Sequence, residues 1–394
     1  MSAGGVQGIL DSARAETGLD DFGDDWFLTP LTAWVGDLEQ NNLTDFGRKF
    51  LRSLAVRDVA RRLRVVATWA AHPEIAEVTL PPILYVTGLE RSGTTLLHNL
   101  LSTHRRGRAL LRWELMEPLP PPRTETFDTD PRIEVVQQSV DKLRGSLLER
   151  MHWVNADEPE ECVWGFIDAV SMLGGAASMC MPAWAEHLAI EDQSRSYENY
   201  RRLVQLLLWK NPVQPDGFLV LKAPQIGRHI TSFSTVFPEA RFVITDRDPF
   251  RCIVSMAAMG QSIVDPFCVD NPMTDDGVRN QVIQSGVEAK LAALQAFTDT
   301  SRVQPIHVAY PSLVSDPLAA ASDVFDAVGI PFGDTDAAGV AAFLDAQRAG
   351  RRSPPPAELP TMGYEHDNVS SAPPIRAYCE RFAIEPERTR LTGT

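Results

Sequence analysis

The segment ILYVTGLERSGTTLLHNLLSTH, residues 83–104, constrains the fold more tightly than any other stretch of this 394-residue chain. The strand-like run Ile83–Thr87 meets Gly88 and then, past a second glycine at Gly93, a helical apolar pattern over Thr94–Thr103. A strand that ends in a glycine turn and restarts as a helix aims backbone N–H groups and the positive end of the helix dipole at one spot. That spot is an anion cradle. From Gly88 to Thr95 the spacing is G-x-x-x-x-G-T-T, formally a Walker A loop with Thr94 standing where the phosphate-contacting lysine belongs. Arg91 puts a cation earlier in the loop instead.

Three further short apolar runs, Phe218–Lys222, Arg241–Thr245 and Ile306–Ala309, read as buried strands. Helical patterns follow them at Gln225–Phe237, Pro249–Met259 and Asp316–Val328, the last with Pro317 near its start. This alternation predicts an α/β fold: an open, mostly parallel sheet flanked by helices, with its ligand crevice at the C-terminal ends of the strands. Residues 1–80 read as a helical cap, with Leu51–Trp69 strongly amphipathic. Residues 81–345 read as the catalytic core, carrying a helical insertion at about 125–210. Residues 346–394 read as an irregular C-terminal lid or tail. Pro118–Pro122 and Pro354–Pro356 cannot continue helix or sheet and mark loops. The whole chain, 1–394, is expected to form a single domain.

The charge balance bears on ligands. With 37 Lys+Arg against 52 Asp+Glu the net charge is −15, so no global positive field gathers nucleic acid or other polyanions. An anion must be held by a local cluster of cations. Lys222 and Arg247, 25 residues apart, each end or follow a predicted strand and so face the same crevice as the loop. Ser255 lies eight residues beyond Arg247, just over two helical turns on, where both flank one phosphate. Five cysteines without a C-x-x-C pair fit a reducing compartment. No basic, then apolar leader opens the chain, and the uncharged run Ala169–Ala185 is too short and broken for a membrane span. A cytoplasmic protein with no transmembrane segment is expected. The dispersed histidines form no metal motif, so no metal is expected.

The ordered set R-S-G-T-T (91–95), L-K-A-P-Q (221–225) and R-D-P (247–249) followed by Ser255 resembles the sulfotransferases that use 3′-phosphoadenosine 5′-phosphosulfate (PAPS). The stretches around Trp113-Glu114-Leu115 and Pro159-Glu160-Glu161-Cys162 are similar to the actinobacterial branch. The resemblance covers about residues 83–330 and implies a P-loop-like fold. It also implies transfer of a sulfuryl group from PAPS to an acceptor hydroxyl or amine, releasing adenosine 3′,5′-bisphosphate. Carried onto matching positions, Arg91, Ser92, Gly93, Thr94 and Thr95 hold the 5′-phosphosulfate, and Arg247 with Ser255 holds the 3′-phosphate. Tyr310 matches a tyrosine near the nucleotide. Lys222 matches a lysine that neutralises the bridging oxygen as the phosphate leaves, the charge logic of phosphoryl transfer.

For the general base the resemblance leaves two candidates. Glu114, 23 residues after Arg91, matches a catalytic carboxylate that burial would tune upward. His152, 61 residues after Arg91, matches the base of the cytosolic small-molecule branch. Glu117 is a poorer match than Glu114, and Glu160 with Glu161, which could line the acceptor site, reads rather as a solvated acidic turn. The cytosolic branch's C-terminal R-K-G motif is absent; Arg348-Ala349-Gly350-Arg351-Arg352 only echoes it. Two rival readings are an ATP- or GTP-dependent kinase with a degenerate Walker loop, and a non-catalytic nucleotide-fold scaffold. The Met- and Trp-rich stretch Val163–Trp184 suggests an apolar small-molecule, lipid or glycolipid acceptor. Oligomeric state is not legible.

Overall fold

The sheet has five strands: β1 at Ile83–Gly88, β2 at Gly107–Ala109, β3 at Phe218–Lys222, β4 at Ala240–Asp246 and β5 at Ile306–Ala309. They lie in the order β2-β3-β1-β4-β5, and every pairing is parallel. The computed structural model describes residues 3–39, 42–142, 144, 155–171, 180–350 and 362–387. Because β3 and β4 flank β1 on either side, the chain leaves β1 at the point where strand order reverses. Ligand crevices of open α/β sheets form there. Register fixes the details: Val86 pairs with Lys222 on one side, and Gly88 pairs with Thr245 on the other.

β1 is buried along its whole length. Alternation sends its side chains to two faces. Leu84 and Val86 join a cluster with Leu97, Leu100, Val220, Val243 and Phe325. Ile83 and Tyr85 join a larger core, where the Tyr85 ring lies 4.5 Å from that of Phe233. Both faces being covered explains why the strand reads as a continuous apolar run.

Ahead of β1 lie the helices α1 (Ala3–Thr17), α2 (Leu28–Leu38) and α3 (Asp45–Ala71). Thr44 caps α3, its hydroxyl accepting from the Gly47 amide at 2.9 Å. The expected one-sided amphipathicity of α3 does not hold. Asp58, Arg61 and Arg62 are buried along with Ala55, Val59, Ala60, Leu63 and Val65. The reason is packing on two sides. Arg61 donates to Leu115 O at 2.7 Å and lies 3.4 Å from Asp168, while Arg62 donates to Phe22 O at 2.8 Å and stacks over Phe27.

After β1 comes α4 (Thr94–Ser102), one residue shorter than its apolar pattern, and after β2 the short α5 (Arg112–Met116). β2 itself escaped the sequence pattern, being three residues long and half polar. The insertion between β2 and β3 includes α6 (Ser194–Trp209) and a 3-10 segment at Cys162–Ala169. The helix expected over Gln225–Phe237 is divided into a 3-10 segment, Pro224–His229, and an α-helix, Ile230–Val236. α7 (Pro249–Val264) runs five residues past its expected end, followed later by α8 (Ser285–Thr300) and α9 (Pro317–Val328). The tail departs from the irregular lid expected of it. Residues 362–387 include helices His366–Ser371 and α10 (Pro373–Phe382). Pro354–Pro356, Arg351 and Arg352 lie outside the described residues. All five cysteines are free thiols, four of them buried. Among the described residues no helix is long and apolar enough to cross a membrane.

Candidate active site

The loop after β1 is built on two glycines. Gly88 has φ +139°, and a Cβ there would stand 2.6 Å from Thr245 O and 2.7 Å from its Oγ1. Gly93 has φ +93°, with Tyr310 Cδ2 only 2.9 Å from where its Cβ would be. Between them Arg91 adopts φ +72°, uncommon for a residue with a side chain. The first α4 bond runs from Leu97 N–H to Gly93 O at 3.0 Å. Ahead of it the amides of Thr94, Thr95 and Leu96 have no partner within the helix. The strand, glycine turn and helix expected from the sequence follow one another in the backbone.

Ser92 does not serve the cradle in the way expected. It is fully buried; its hydroxyl donates to Leu89 O at 2.6 Å and meets Thr245 Oγ1 at 2.5 Å. Its amide also bonds Leu89 O, at 3.2 Å. Ser92 therefore braces the loop from below. Glu90 is clamped from outside by Lys290 of α8, with Nζ 2.5 Å from Oε1.

Sheet register brings Lys222 under this loop. Its ammonium is 1% exposed and donates to Glu161 Oε1 at 2.6 Å and to Thr95 Oγ1 at 3.2 Å. Gln225 Nε2 donates to the other oxygen of Glu161 at 3.1 Å. The Pro159–Cys162 turn is thus not a solvated acidic turn. It is zipped to the chain leaving β2: Arg112 N–H bonds Glu158 O, Trp113 N–H bonds Ala156 O, and Glu160 N–H bonds Leu110 O. Glu160 is buried against Arg112, and its neighbour Glu161 emerges beside Lys222.

Glu114 sits elsewhere. It is fully buried, and burial pushes its carboxyl above the ordinary carboxylate range against the pull of Arg108. The upward tuning expected of a base is there, but its partners are Leu111 and Arg108 and not groups of the loop. Oε1 accepts from the Leu111 amide at 2.8 Å, closing the first turn of α5, and Oε2 accepts from Arg108 Nη2 at 2.9 Å. Its hydrogen bonds among the described residues go to Leu111 and Arg108, away from Lys222. His152 lies outside the described residues.

On the β4 side, Arg247 donates through Nη1 to Arg91 O at 2.6 Å and stacks on the Tyr310 ring, 3.9 Å from its centroid. Ser255, from α7, accepts from Arg91 Nε at 3.1 Å. Asp248 caps α7 by accepting from the Phe250 amide at 2.9 Å. Arg91, Arg247, Ser255 and Tyr310 therefore form one cluster. A residue with no sequence signal joins them: Glu387, whose carboxylate faces Arg247 Nε at 2.6 Å and Nη2 at 2.9 Å. Burial opposes the charge on Arg247, yet the Glu387 carboxylate holds the guanidinium above its ordinary value. A groove of about 410 Å³ lined by Trp26, Arg62, Trp69 and Arg202 holds none of these groups.

The profile of the sulfotransferase family matches residues 82–334, from the start of β1 to beyond α9. The chain belongs to the sulfotransferase family. Among curated members it is similar to the omega-hydroxy-beta-dihydromenaquinone-9 sulfotransferase Stf3 of Mycobacterium bovis and of Mycobacterium tuberculosis. Each is 26% identical over 251 residues, and the match spans 62% of this chain and 62% of the relative's length. Among solved structures, sulfotransferase STF9 of Mycobacterium avium superposes with a TM-score of 0.85 at 25% identity, covering 97% of both chains. STF1 of M. tuberculosis, at 22% identity and TM-score 0.79, covers 94% of this chain and 98% of its own, and attests the fold. The family's P-loop-like core is thus the β1-loop-α4 unit with β3 and β4 on its flanks.

Proposed function

We propose that this family member transfers the sulfuryl group of PAPS to a hydroxyl of a lipophilic acceptor, releasing adenosine 3′,5′-bisphosphate. The observation that carries the reading is the Lys222–Glu161 pair at the mouth of the loop: a buried ammonium bonded at once to Thr95 and to a carboxylate. One group is a proton acceptor and the other stabilises developing negative charge, and both face one anion cradle. The residues suit the donor. The two-glycine loop with open α4 amides takes the phosphosulfate, and the bidentate fork of Arg247 with Ser255 suits a terminal 3′-phosphate.

In this reading Glu161 takes the acceptor's hydroxyl proton as the oxygen attacks sulfur. Lys222, freed of part of its partner's charge, holds the phosphate oxygen from which sulfur departs. Arg247, steadied on Tyr310, orients the nucleotide through its 3′-phosphate. Glu114 keeps a structural task, tying α5 to Arg108. The acceptor class is supported by the Mycobacterium Stf3 proteins, named for a hydroxylated menaquinone.

The experiment is a transfer assay with PAPS and hydroxylated isoprenoid acceptors on wild type, Glu161→Gln and Lys222→Ala. Each variant is expected to lose kcat by about a hundredfold or more, the range of a positioned acid, base or charge. A Lys222→Ala protein that turns over at the wild-type rate overturns the assignment.

A further inference from the structure

Helix α10 is fastened to the sheet beside the candidate donor site. The buried Tyr378 hydroxyl donates to Asp246 Oδ1 at 2.5 Å at the end of β4. Phe382 stacks on His307 of β5 at 4.2 Å with the rings 18° apart, and His307 Nδ1 meets Asp246 Oδ2 at 2.8 Å. At Ala383, φ +50°, the chain turns back. The strap Ile384–Glu387 then runs to the start of α7, where the Glu387 amide donates to Asp248 Oδ2 at 2.9 Å. Its side chain ends on the Arg247 fork, with Arg251 Nε 3.9 Å away. The partners are largely covered, the side chains being 16% and 26% exposed.

A carboxylate and a phosphate monoester offer the same pair of oxygens to a guanidinium, and the phosphate adds charge and a third oxygen. Arg247 is the cation to which the donor reading assigns the 3′-phosphate, and it is also bonded to the loop at Arg91 O. One fork cannot hold both bidentate partners at once. We infer that the strap is an intramolecular competitor: Glu387 occupies the 3′-phosphate position, and the nucleotide must displace it to bind. The inference rests on the donor reading and adds to it a ligand-exchange step written into the chain. Tethering makes the competition concentration-independent, so the strap weakens every nucleotide that relies on a 3′-phosphate by a fixed factor.

The test is calorimetric titration of the full chain with adenosine 3′,5′-bisphosphate and with ADP, comparing wild type, Glu387→Gln and Glu385→Gln. Glu385 is an exposed residue of the same strap, so its substitution removes the same formal charge without touching Arg247. The bisphosphate is expected to bind Glu387→Gln about tenfold tighter, equivalent to about 1.4 kcal/mol, with Glu385→Gln at the wild-type value. ADP, lacking a 3′-phosphate, gains nothing. A chain stopped after Ala383 reproduces the gain. Equal, measurable bisphosphate affinity in wild type and Glu387→Gln overturns the competitor while leaving the donor reading intact. An equal gain in Glu385→Gln or for ADP overturns it too. No bisphosphate binding by any of the proteins overturns the donor reading, and the competitor with it.

Discussion

His98 allows a stability prediction whose size follows from its surroundings. It lies on α4, one turn past the loop, fully buried, with Nε2 3.0 Å from Val220 O on β3. That contact requires Nε2 to carry the proton, and among the described residues Nδ1 has no hydrogen-bond partner. Burial, reinforced by the charge of Lys222, pushes the imidazole down to about 3. In the unfolded chain the value is about 6.5. A folded value below the unfolded one means that the unfolded state binds the proton more readily between the two. Stability is therefore complete above about pH 6.5 and is lost as pH falls toward 3. At about 1.36 kcal/mol per pH unit, His98 alone removes about 2 kcal/mol between pH 7 and pH 5. Glu114, Asp58 and Asp37, which burial raises above their ordinary values, work in the opposite sense. The clean readout is a difference. Urea unfolding of wild type and His98→Gln at both pH values isolates the histidine, because the variant keeps a donor toward Val220 but cannot titrate. Wild type is expected to lose about 2 kcal/mol more than the variant on acidification. Equal losses in the two proteins would refute the assignment of a buried, neutral imidazole.

Two other substitutions separate structure from chemistry. Glu114→Gln strands Arg108 beside a neutral amide; it is expected to lower stability by about 3 kcal/mol, read as a drop in the urea midpoint, while kcat at matched fold stays within about twofold. A hundredfold loss of kcat in that variant would return the base to Glu114. Gly88→Ala drives a methyl to within 2.6 Å of Thr245 O. Its expected cost is about 2 kcal/mol or more, together with at least a tenfold weaker bisphosphate affinity, checked by melting and titration.

Strand, loop and helix were legible best where a strand is covered on both faces and writes an unbroken apolar run, as β1 and β3 do. Phe218–Lys222 and Ile306–Ala309 match the structure at both ends. The cation cluster was legible for a topological reason: Lys222 ends and Arg247 directly follows the two strands that flank β1, and strand ends share one crevice. The carboxylate partner of Lys222 was not. Glu161 reaches its place only because the Pro159 turn pairs with residues 110–113, a contact that leaves no periodicity in either segment. The same gap hid Glu387, which lies 140 positions from Arg247 in a segment with no apolar pattern of its own. The buried charges of α3 misled in the other direction, since Arg61 and Arg62 look solvated until the backbone carbonyls they serve are in view.

The most direct test of the donor site is calorimetric titration with adenosine 3′,5′-bisphosphate beside ADP, on wild type and Arg247→Ala. The site described here predicts bisphosphate binding that is preferred over ADP and weakened at least tenfold, about 1.4 kcal/mol, in the variant. Binding of ADP as tightly as the bisphosphate, or a bisphosphate affinity indifferent to Arg247, would contradict it.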